Sequence, residues 1–555
     1  GTIQEGTDET GKVTIHNLMT WGTPEAYVKG KQITVEDASN WGGKIFIGSD
    51  ATDLVDVKGF QAGTDAETTI DGNVISISIG KLGTGSSTFT IGNKNTNSVV
   101  INDFGAGGNS ETTINGHNVS VSNDQGQVNI YKGQVTIHTD GNFKVAQEEN
   151  LQNIGVTEGG NLSITAGSLD AGAVNVTNSN SKADIQVSTK GILKDIGVTE
   201  GGNLSITAGS LDAGHLLVTN SNSEADIHIT GDEGLHLSRP IFAYEGAKIN
   251  IDSPLIRVDR DETSRLYDSM NTTNSTISLG NDSSQIVMNG RLFNAGSNVT
   301  LKGKTIHIKA WPGAGSQNAI ESTNGKVRTT IGNENTENVY VDGKTVISGW
   351  HGNLSMAGKT ISLSYPEGIA LTGYAGNAYI GQRETENLVI LGQVANQSAD
   401  TMQLSGQHIT IDSTGYDGPK KGGPYPESLL AFHNDIHAGT KDTQTISISS
   451  GLHAMGGGIQ VLGKNITVGT SSYFRNQAPS GGGTLQTGYI AYATGNNVDI
   501  GSDDTDTVHL YGGQLLAGGG SINIQGNHIS VDSSAAYIKP DSDYMNSEKY
   551  ERLSA

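Results

Sequence analysis

The sequence predicts an all-β protein built as a parallel β-helix, in which short strands coil into stacked turns. The first observation is a duplication: "IGVTEGGNLSITAGSLDAG" begins at Ile154 and again at Ile196, and the similar copies span residues 154–185 and 196–227. A catalytic pocket gains nothing from a second copy beside it, whereas a stacked solenoid simply becomes longer. The duplication therefore favours a fold that grows by addition.

A second, more widely spaced repeat supports the same fold. A motif of the form Ile-Gly-x-x-x-Thr-x-x-Val-x-aliphatic-x-Gly occurs as "IGSDATDLVDVKG" from Ile47, "IGNENTENVYVDG" from Ile331 and "IGSDDTDTVHLYG" from Ile500. A second element follows it, as in "GNVISI" at Gly72 and "GKTISL" at Gly358. The alternating triplets predict short strands with β-branched residues on one face. The glycines predict corners, where a positive φ is needed.

The repeat spacing sets the expected dimensions. Coils of roughly 20 to 25 residues make the duplication two coils, and stacking about 4.8 Å apart gives a rod on the order of 110 Å long, filled by Ile, Val and Leu. Antiparallel hairpins in a sandwich would also produce short strands and turns, so that fold remains an alternative. We expect the rod to span residues 1–541, with excursions at about 253–272, 310–328 and 415–440. Residues 542–555 are expected to form a C-terminal helical cap or a linker.

Composition narrows the function classes. Of 555 residues 77 are Gly, only 5% are aromatic and 34% are hydrophobic, which predicts a narrow core. The net charge of −23 argues against binding to nucleic acid or anionic membranes, because no basic stripe is present. No apolar stretch is long enough to cross a bilayer, so any signal peptide or anchor is expected outside this sequence. The absence of Cys excludes disulfides and thiolate chemistry.

Departures from the repeat are the candidate binding segments, since insertions leave a solenoid surface without disturbing its ladders. The segment "YDGPKKGGPYPESLLAFHNDIHAG" begins at Tyr416. Its end predicts a short helix from near Pro426 to Gly439. The spacing of His433 and His437 then resembles a zinc site without its glutamate, and we expect no metal there. The binding candidates in this segment are Tyr416, Lys420, Lys421 and Tyr425.

Two further departures supply the remaining candidates. "SPLIRVDRDETSRLYDSMN" from Ser253 is the densest charged stretch, and it contributes Arg260 and Arg265. The loop "AWPGAGSQN" is expected to expose Trp311. Acidic turns such as "GSDDTDT" lack the ligand spacing of known calcium loops, so no cofactor is expected.

The uniform coils rich in Gly, Asn, Ser and Thr, the acidic charge and the lack of Cys resemble the passenger domains of bacterial autotransporters and related haemagglutinin-like adhesins. This resemblance implies a right-handed β-helix displayed outside the outer membrane. It also implies that the full-length protein carries an outer-membrane barrel or anchor. The Gly-Asp-Ser-Gly signature of passenger serine proteases and the "NPNG" motif of two-partner secreted proteins are both missing from the sequence.

The predicted function is therefore a non-enzymatic adhesin or self-associating stalk on the bacterial cell surface. Its expected partners are a host or bacterial surface protein or glycan, or further copies of itself. A polysaccharide lyase or hydrolase is the main alternative, because β-helix enzymes use carboxylate pairs along a sugar groove. The four Trp residues offer few stacking platforms for such a substrate. A phage tailspike is a third alternative.

Overall fold

The computed structural model describes residues 1–78, 80–82, 85–262, 267–311, 317–323, 328–349, 352–415, 427–469 and 489–532. Within these residues the regular structure is entirely β-strand, which confirms the predicted fold class. The first thirty strands, β1 to β30, are Thr2–Glu5, Lys12–Ile15, Leu18–Trp21, Glu25–Val28, Gln32–Val35, Ala38–Trp41, Lys44–Gly48, Leu54–Val57, Phe60–Ala62, Glu67–Asp71, Val74–Ile77, Gly80–Leu82, Thr88–Ile91, Ser98–Ile101, Gly105–Ala106, Glu111–Asn115, Asn118–Val121, Gln127–Tyr131, Gln134–His138, Asn142–Gln147, Asn150–Leu151, Asn153–Thr157, Asn161–Ala166, Ser168–Thr177, Lys182–Thr199, Asn203–Ala213, Leu216–Thr219, Glu224–Ile229, Leu235–Leu237 and Ile241–Tyr244.

The remaining strands continue the pattern of short segments separated by tight corners. In chain order, β31 to β60 are Lys248–Asp252, Leu255–Asp259, Asp268–Thr273, Thr276–Leu279, Gln285–Asn289, Arg291–Ala295, Asn298–Leu301, Thr305–Lys309, Asn318–Thr323, Arg328–Ile331, Asn338–Asp342, Lys344–Ile347, Asn353–Met356, Thr360–Gly373, Asn377–Ile380, Asn387–Asn396, Thr401–Leu404, His408–Asp412, Leu429–Ala431, Ile436–Gly439, Thr445–Ile448, Leu452–Ala454, Ile459–Leu462, Asn465–Val468, Tyr489–Ala493, Val498–Ile500, Thr507–Tyr511, Gln514–Ala517, Ile522–Ile524 and His528–Asp532.

Strand pairing defines a parallel β-solenoid with three strands in a typical coil. β1 pairs in parallel with β4, β2 with β5 and β3 with β6, so each strand meets the one a full coil later. The described strands make about 21 turns. The chain divides into unit 1, residues 1–262 with 273–279, and unit 2, residues 263–272 with 280–555, and each unit has this construction. We call the three faces of each unit the first, second and third sheets, which begin in unit 1 with β1, β2 and β3.

Identical side chains stack along the core of unit 1. A column of buried isoleucines runs through the first sheet in register from Ile47 to Ile251: Ile47, Ile70, Ile91, Ile114, Ile137, Ile164, Ile185, Ile206, Ile227 and Ile251. Each buried side chain of this size contributes about 2 kcal/mol. Alternation within each strand places these residues inside and polar residues outside, as the triplets predicted.

The duplicated segment consists of two coils. Leu162 pairs with Ala183, which pairs with Leu204, so each coil advances 21 residues. The predicted equivalence between the 42-residue offset and two coils is confirmed. Strands in this segment run around corners without interruption, and β25 alone spans 18 residues.

The helix predicted from near Pro426 to Gly439 is wrong for the described part, residues 427–439. Leu429–Ala431 and Ile436–Gly439 are strands, and Leu429 and Ile436 are buried in register with Val394 and Met402. This segment forms strands despite its local helix signals, because its apolar side chains complete the core of their coil. Parts of the other two predicted excursions are also strands, including Leu255–Asp259 and Asn318–Thr323. Residues 542–555 lie outside the described part of the chain.

Candidate functional site

The corner between the first and second sheets alternates between two forms in successive coils. A long turn occupies every second coil, at residues 6–11, 49–53 and 92–97 in unit 1 and at 280–284, 332–337, 381–386, 440–444 and 501–506 in unit 2. The coils between carry a short turn, at 29–31, 72–73 and 116–117 in unit 1 and at 302–304, 357–359, 405–407, 463–464 and 525–527 in unit 2. We call the row of long turns within each unit its ridge.

Each of these long turns starts with a glycine or directly follows one, and the backbone of the next coil lies too close to that glycine to admit a side chain. Gly48 has φ of +82°, and a Cβ placed on it would lie 1.9 Å from the carbonyl oxygen of Asp71, the residue just before the next short turn. Gly381 repeats the arrangement in unit 2, with φ of +79° and a distance of 2.0 Å to the carbonyl oxygen of Ser405. A long turn therefore fits closely against the short turn that follows it.

The threonine of the repeated motif ties adjacent coils together at this corner. The buried hydroxyl of Thr96 accepts a hydrogen bond from the Asn93 backbone N–H at 2.9 Å and donates one to the Gly72 carbonyl at 2.8 Å. The Thr96 carbonyl accepts the backbone N–H of His117 in the next coil at 2.8 Å. The same hydroxyl-to-glycine bond is made by four other motif residues, Thr52, Thr385, Thr443 and Thr505. One side chain thus joins a long turn to the short turn before it, and its backbone joins the short turn after it.

The tips of the long turns are exposed and polar, and neighbouring tips contact one another. In unit 1, Ser49 Oγ donates to Asp8 at 2.8 Å, and Asn93 Nδ2 donates to Asp50 at 2.5 Å. In unit 2, the amides of Asn333 and Asn335 both donate to Asp282, at 2.7 and 2.8 Å. These hydrogen bonds make the ridge a continuous polar row over these turns, although successive long turns lie two coils apart.

A polar notch of about 240 Å³ lies between two long turns in unit 1. Asp50, Asp53, Asn93 and Asn95 line its walls, and Gly72 and Asn73 of the intervening short turn form its floor. Burial raises the pKa of Asp71 beside the notch, against the opposing effect of its hydrogen bond from Asn93. In unit 2 the hydrogen bonds from Asn333 and Asn335 lower the pKa of Asp282. The ridge thus presents carboxylate and amide groups at its surface.

Two of the sequence-predicted binding residues lie in the described part of the chain. Arg260 follows β32 in unit 1 and is half-buried, and Trp311 follows β38 in unit 2 with 37% of its surface exposed. Tyr416, Lys420, Lys421, Tyr425 and Arg265 lie outside the described residues. His437 is on β50 and bonds to Gln460 at 3.2 Å, while His433 precedes that strand, so they do not form a helical pair.

Sequence reasoning found the ridge motif but not its role. It recognised the glycine and the threonine as repeat positions, while the partner of each hydroxyl is a carbonyl more than twenty residues away along the chain. The sequence alternates "IGxxxT" segments, which form the long turns, with "xGx" segments, which form the short turns. This alternation was a signal that could have revealed the bond from the threonine to the glycine of the preceding coil.

Comparison with known proteins adds no relative: no family model, curated protein or solved structure matches the chain. Among the described residues, no group of three or more His, Asp or Glu side chains is arranged to hold a metal ion. The same residues include no helix with the length and hydrophobicity needed to cross a membrane.

Proposed function

We propose that this chain is the adhesive solenoid of a bacterial cell-surface protein, and that it attaches through its ridges. The observation that carries the proposal is the repetition of one exposed polar turn in every second coil of the ridge regions. Many weak contacts of one kind, held at fixed spacing, bind through avidity without any single strong site.

The chemistry of the ridge suits polar, hydrated partners. Its tips combine carboxylates, amides and scattered cations, as in the contact between Arg383 and Asp442 at 3.6 Å. Surface groups of this kind contribute little energy one at a time. Attachment to a glycan or protein on another cell, or to a second copy of the chain, therefore depends on engaging several turns together.

The proposal is tested with beads that carry the purified chain, by measuring bead aggregation and binding to bacterial or host cells. In the ridge variant, alanine replaces the exposed tip residues Lys94, Glu334, Glu384 and Asp503. A matched control replaces exposed residues of the same charge away from the ridge, Lys182, Glu111, Glu233 and Glu367. The buried threonines are untouched in both variants, and thermal unfolding of each variant checks that it remains folded.

We expect the ridge variant to lose at least about half of the bead aggregation or cell binding, because several contacts weaken at once. The control should behave as the unchanged chain does, since both variants alter the net charge equally. Equal behaviour of the two variants, or no attachment by the unchanged chain to any bead or cell, would overturn the proposal.

A further inference from the structure

A small apolar platform lies on the outward face of the third sheet in unit 1. Trp21 at the end of β3 is in register with Trp41 at the end of β6, and the next residue position in this row is Gly63, just after β9. Trp21 is 78% exposed and Trp41 is 40% exposed. Two of the four tryptophans of the chain therefore occupy adjacent coils in one outward-facing row.

The ring of Trp41 rests on the glycine of the next coil. A Cβ placed on Gly63 would lie 2.3 Å from Cε3 and 2.9 Å from Cζ3 of this indole. Alternation along β9, where Phe60 and Ala62 are buried and Gln61 is exposed, places the missing Gly63 side chain on the outside. The indole of Trp41 therefore occupies the space that a side chain at position 63 would fill, and part of the ring remains accessible to solvent.

A parallel row of side chains two positions earlier completes the platform. Met19, Ser39 and Gln61 are in register across the same three strands; Met19 and Gln61 are exposed, whereas Ser39 is buried. Strand and residue spacings give the six positions an extent of about 10 Å by 7 Å. The exposed Gln61 side chain thus places a hydrogen-bonding group next to the tryptophan row.

The size of the platform indicates what it can bind. Large aromatic side chains bury about 150–250 Å² each, so Trp21, Trp41 and Met19 together offer less than the roughly 800 Å² that each partner contributes to a stable protein interface. Sugar rings fit better, because their apolar C–H faces stack on indole while their hydroxyls bond to neighbouring polar groups. The net charge of −23 favours an uncharged sugar over an acidic one.

We propose that Trp21, Trp41 and Gln61 form a binding site for a neutral pyranose glycan, with the tryptophans stacking on sugar rings. The site lies on the third sheet, away from the corner that carries the ridge. It stands on its own observations and does not depend on attachment through the ridge.

The test measures binding of cellohexaose and of hexa-N-acetylchitohexaose to the full chain by isothermal titration calorimetry, with hexagalacturonic acid as the acidic comparison. Trp41→Ala and Trp21→Ala are expected to weaken binding of the neutral probe about tenfold each. Gly63→Ala should have a similar effect, because the added Cβ displaces the Trp41 ring. Trp311→Ala, which removes a partly exposed tryptophan of unit 2, is the matched control and should leave affinity unchanged.

Thermal unfolding of each variant establishes that it remains folded, and the Gly63→Ala variant tests the platform with both tryptophans present. The proposal is overturned if neither neutral oligosaccharide binds, or if Trp41→Ala and Trp311→Ala bind equally well. It is also overturned if sedimentation shows that the chain dimerises and that Trp41→Ala abolishes the dimer, since the platform would then be a protein interface.

Discussion

The coils of the ridges and the duplicated coils both alternate, but at different corners. In the ridges the corner between the first and second sheets alternates between long and short turns. In the duplicated segment, residues 154–227, the alternation lies between the third and first sheets, where turns at 158–160 and 200–202 alternate with turns at 178–181 and 220–223. The Gly159 N–H donates to Ser181 Oγ at 3.0 Å, and the Gly201 N–H donates to Ser223 Oγ at 2.8 Å.

This comparison explains why the duplication covers 42 residues and not 21. A turn of one form bonds to a turn of the other form, so a single coil does not carry both partners of the contact. Asn178 and Glu200 are joined at 2.6 Å, and Asn220 and Glu245 are joined in the same way at 2.8 Å. The pair of coils is therefore the unit that can be copied. The two regions also differ at their surfaces, since the ridges expose long turns and the duplicated segment consists of nearly continuous strands.

The largest expected effect comes from filling the space that a ridge glycine leaves. Gly48 and Gly159 both have φ of +82°, but the Cβ of Gly48 would meet the Asp71 carbonyl at 1.9 Å, whereas that of Gly159 meets nothing within 4 Å. Gly48→Ala should lower the free energy of unfolding by about 3 kcal/mol, and Gly159→Ala by about 1 kcal/mol. Urea denaturation of both variants measures the difference, and equal losses would show that the close fit of the turns is unimportant.

A second prediction concerns pH. Unit 2 contains a buried carboxyl, Glu427, whose pKa is raised from 4.5 to about 7 by burial, whereas residues 154–227 bury no ionisable side chain. Between pH 4.5 and about 7 the native carboxyl keeps a proton that the unfolded chain loses, so stability falls as pH rises through this window and levels off above it. The total fall should be about 3 kcal/mol.

Glu427→Gln should remove this fall, and Glu384→Gln, at an exposed ridge tip, should not. Urea denaturation between pH 4 and 8 measures both. A fall of the same size in the Glu427→Gln variant would show that another group is responsible.

The third prediction compares the hydroxyls that join the coils. Thr96→Val removes both bonds of a buried hydroxyl while keeping its shape, and should cost about 2 kcal/mol. Ser181→Ala removes one bond from the duplicated coils and should cost about 1 kcal/mol. Hydrogen exchange at the Asn93 and Gly159 amides, the donors in these two contacts, locates each loss. A larger loss of stability for Ser181→Ala than for Thr96→Val would contradict the prediction.

Much of the fold could be predicted because its main determinants are local. Alternation in "ETTI" and "NVSV" specifies strands and their buried faces, and the Gly-Asn pairs specify corners. Residues 427–439 were misjudged because Leu429 and Ile436 obtain their partners from Val394 and Met402 in the preceding coil. The tryptophan platform was missed for the same reason, since the pairing of Trp21 with Trp41 requires the register between coils.

The smallest expected effect also tests the central claim, that a pair of coils is the structural unit. Deleting residues 154–195 removes two coils. The remaining turns between the third and first sheets still alternate between the two forms, so the free energy of unfolding should change by less than about 1 kcal/mol. Deleting residues 161–181 removes only one coil and stacks two turns of the same form, which should cost about 3 kcal/mol. Urea denaturation of the two deletion variants compares them directly. A larger loss for the 42-residue deletion, or an equal loss for both, would contradict the account.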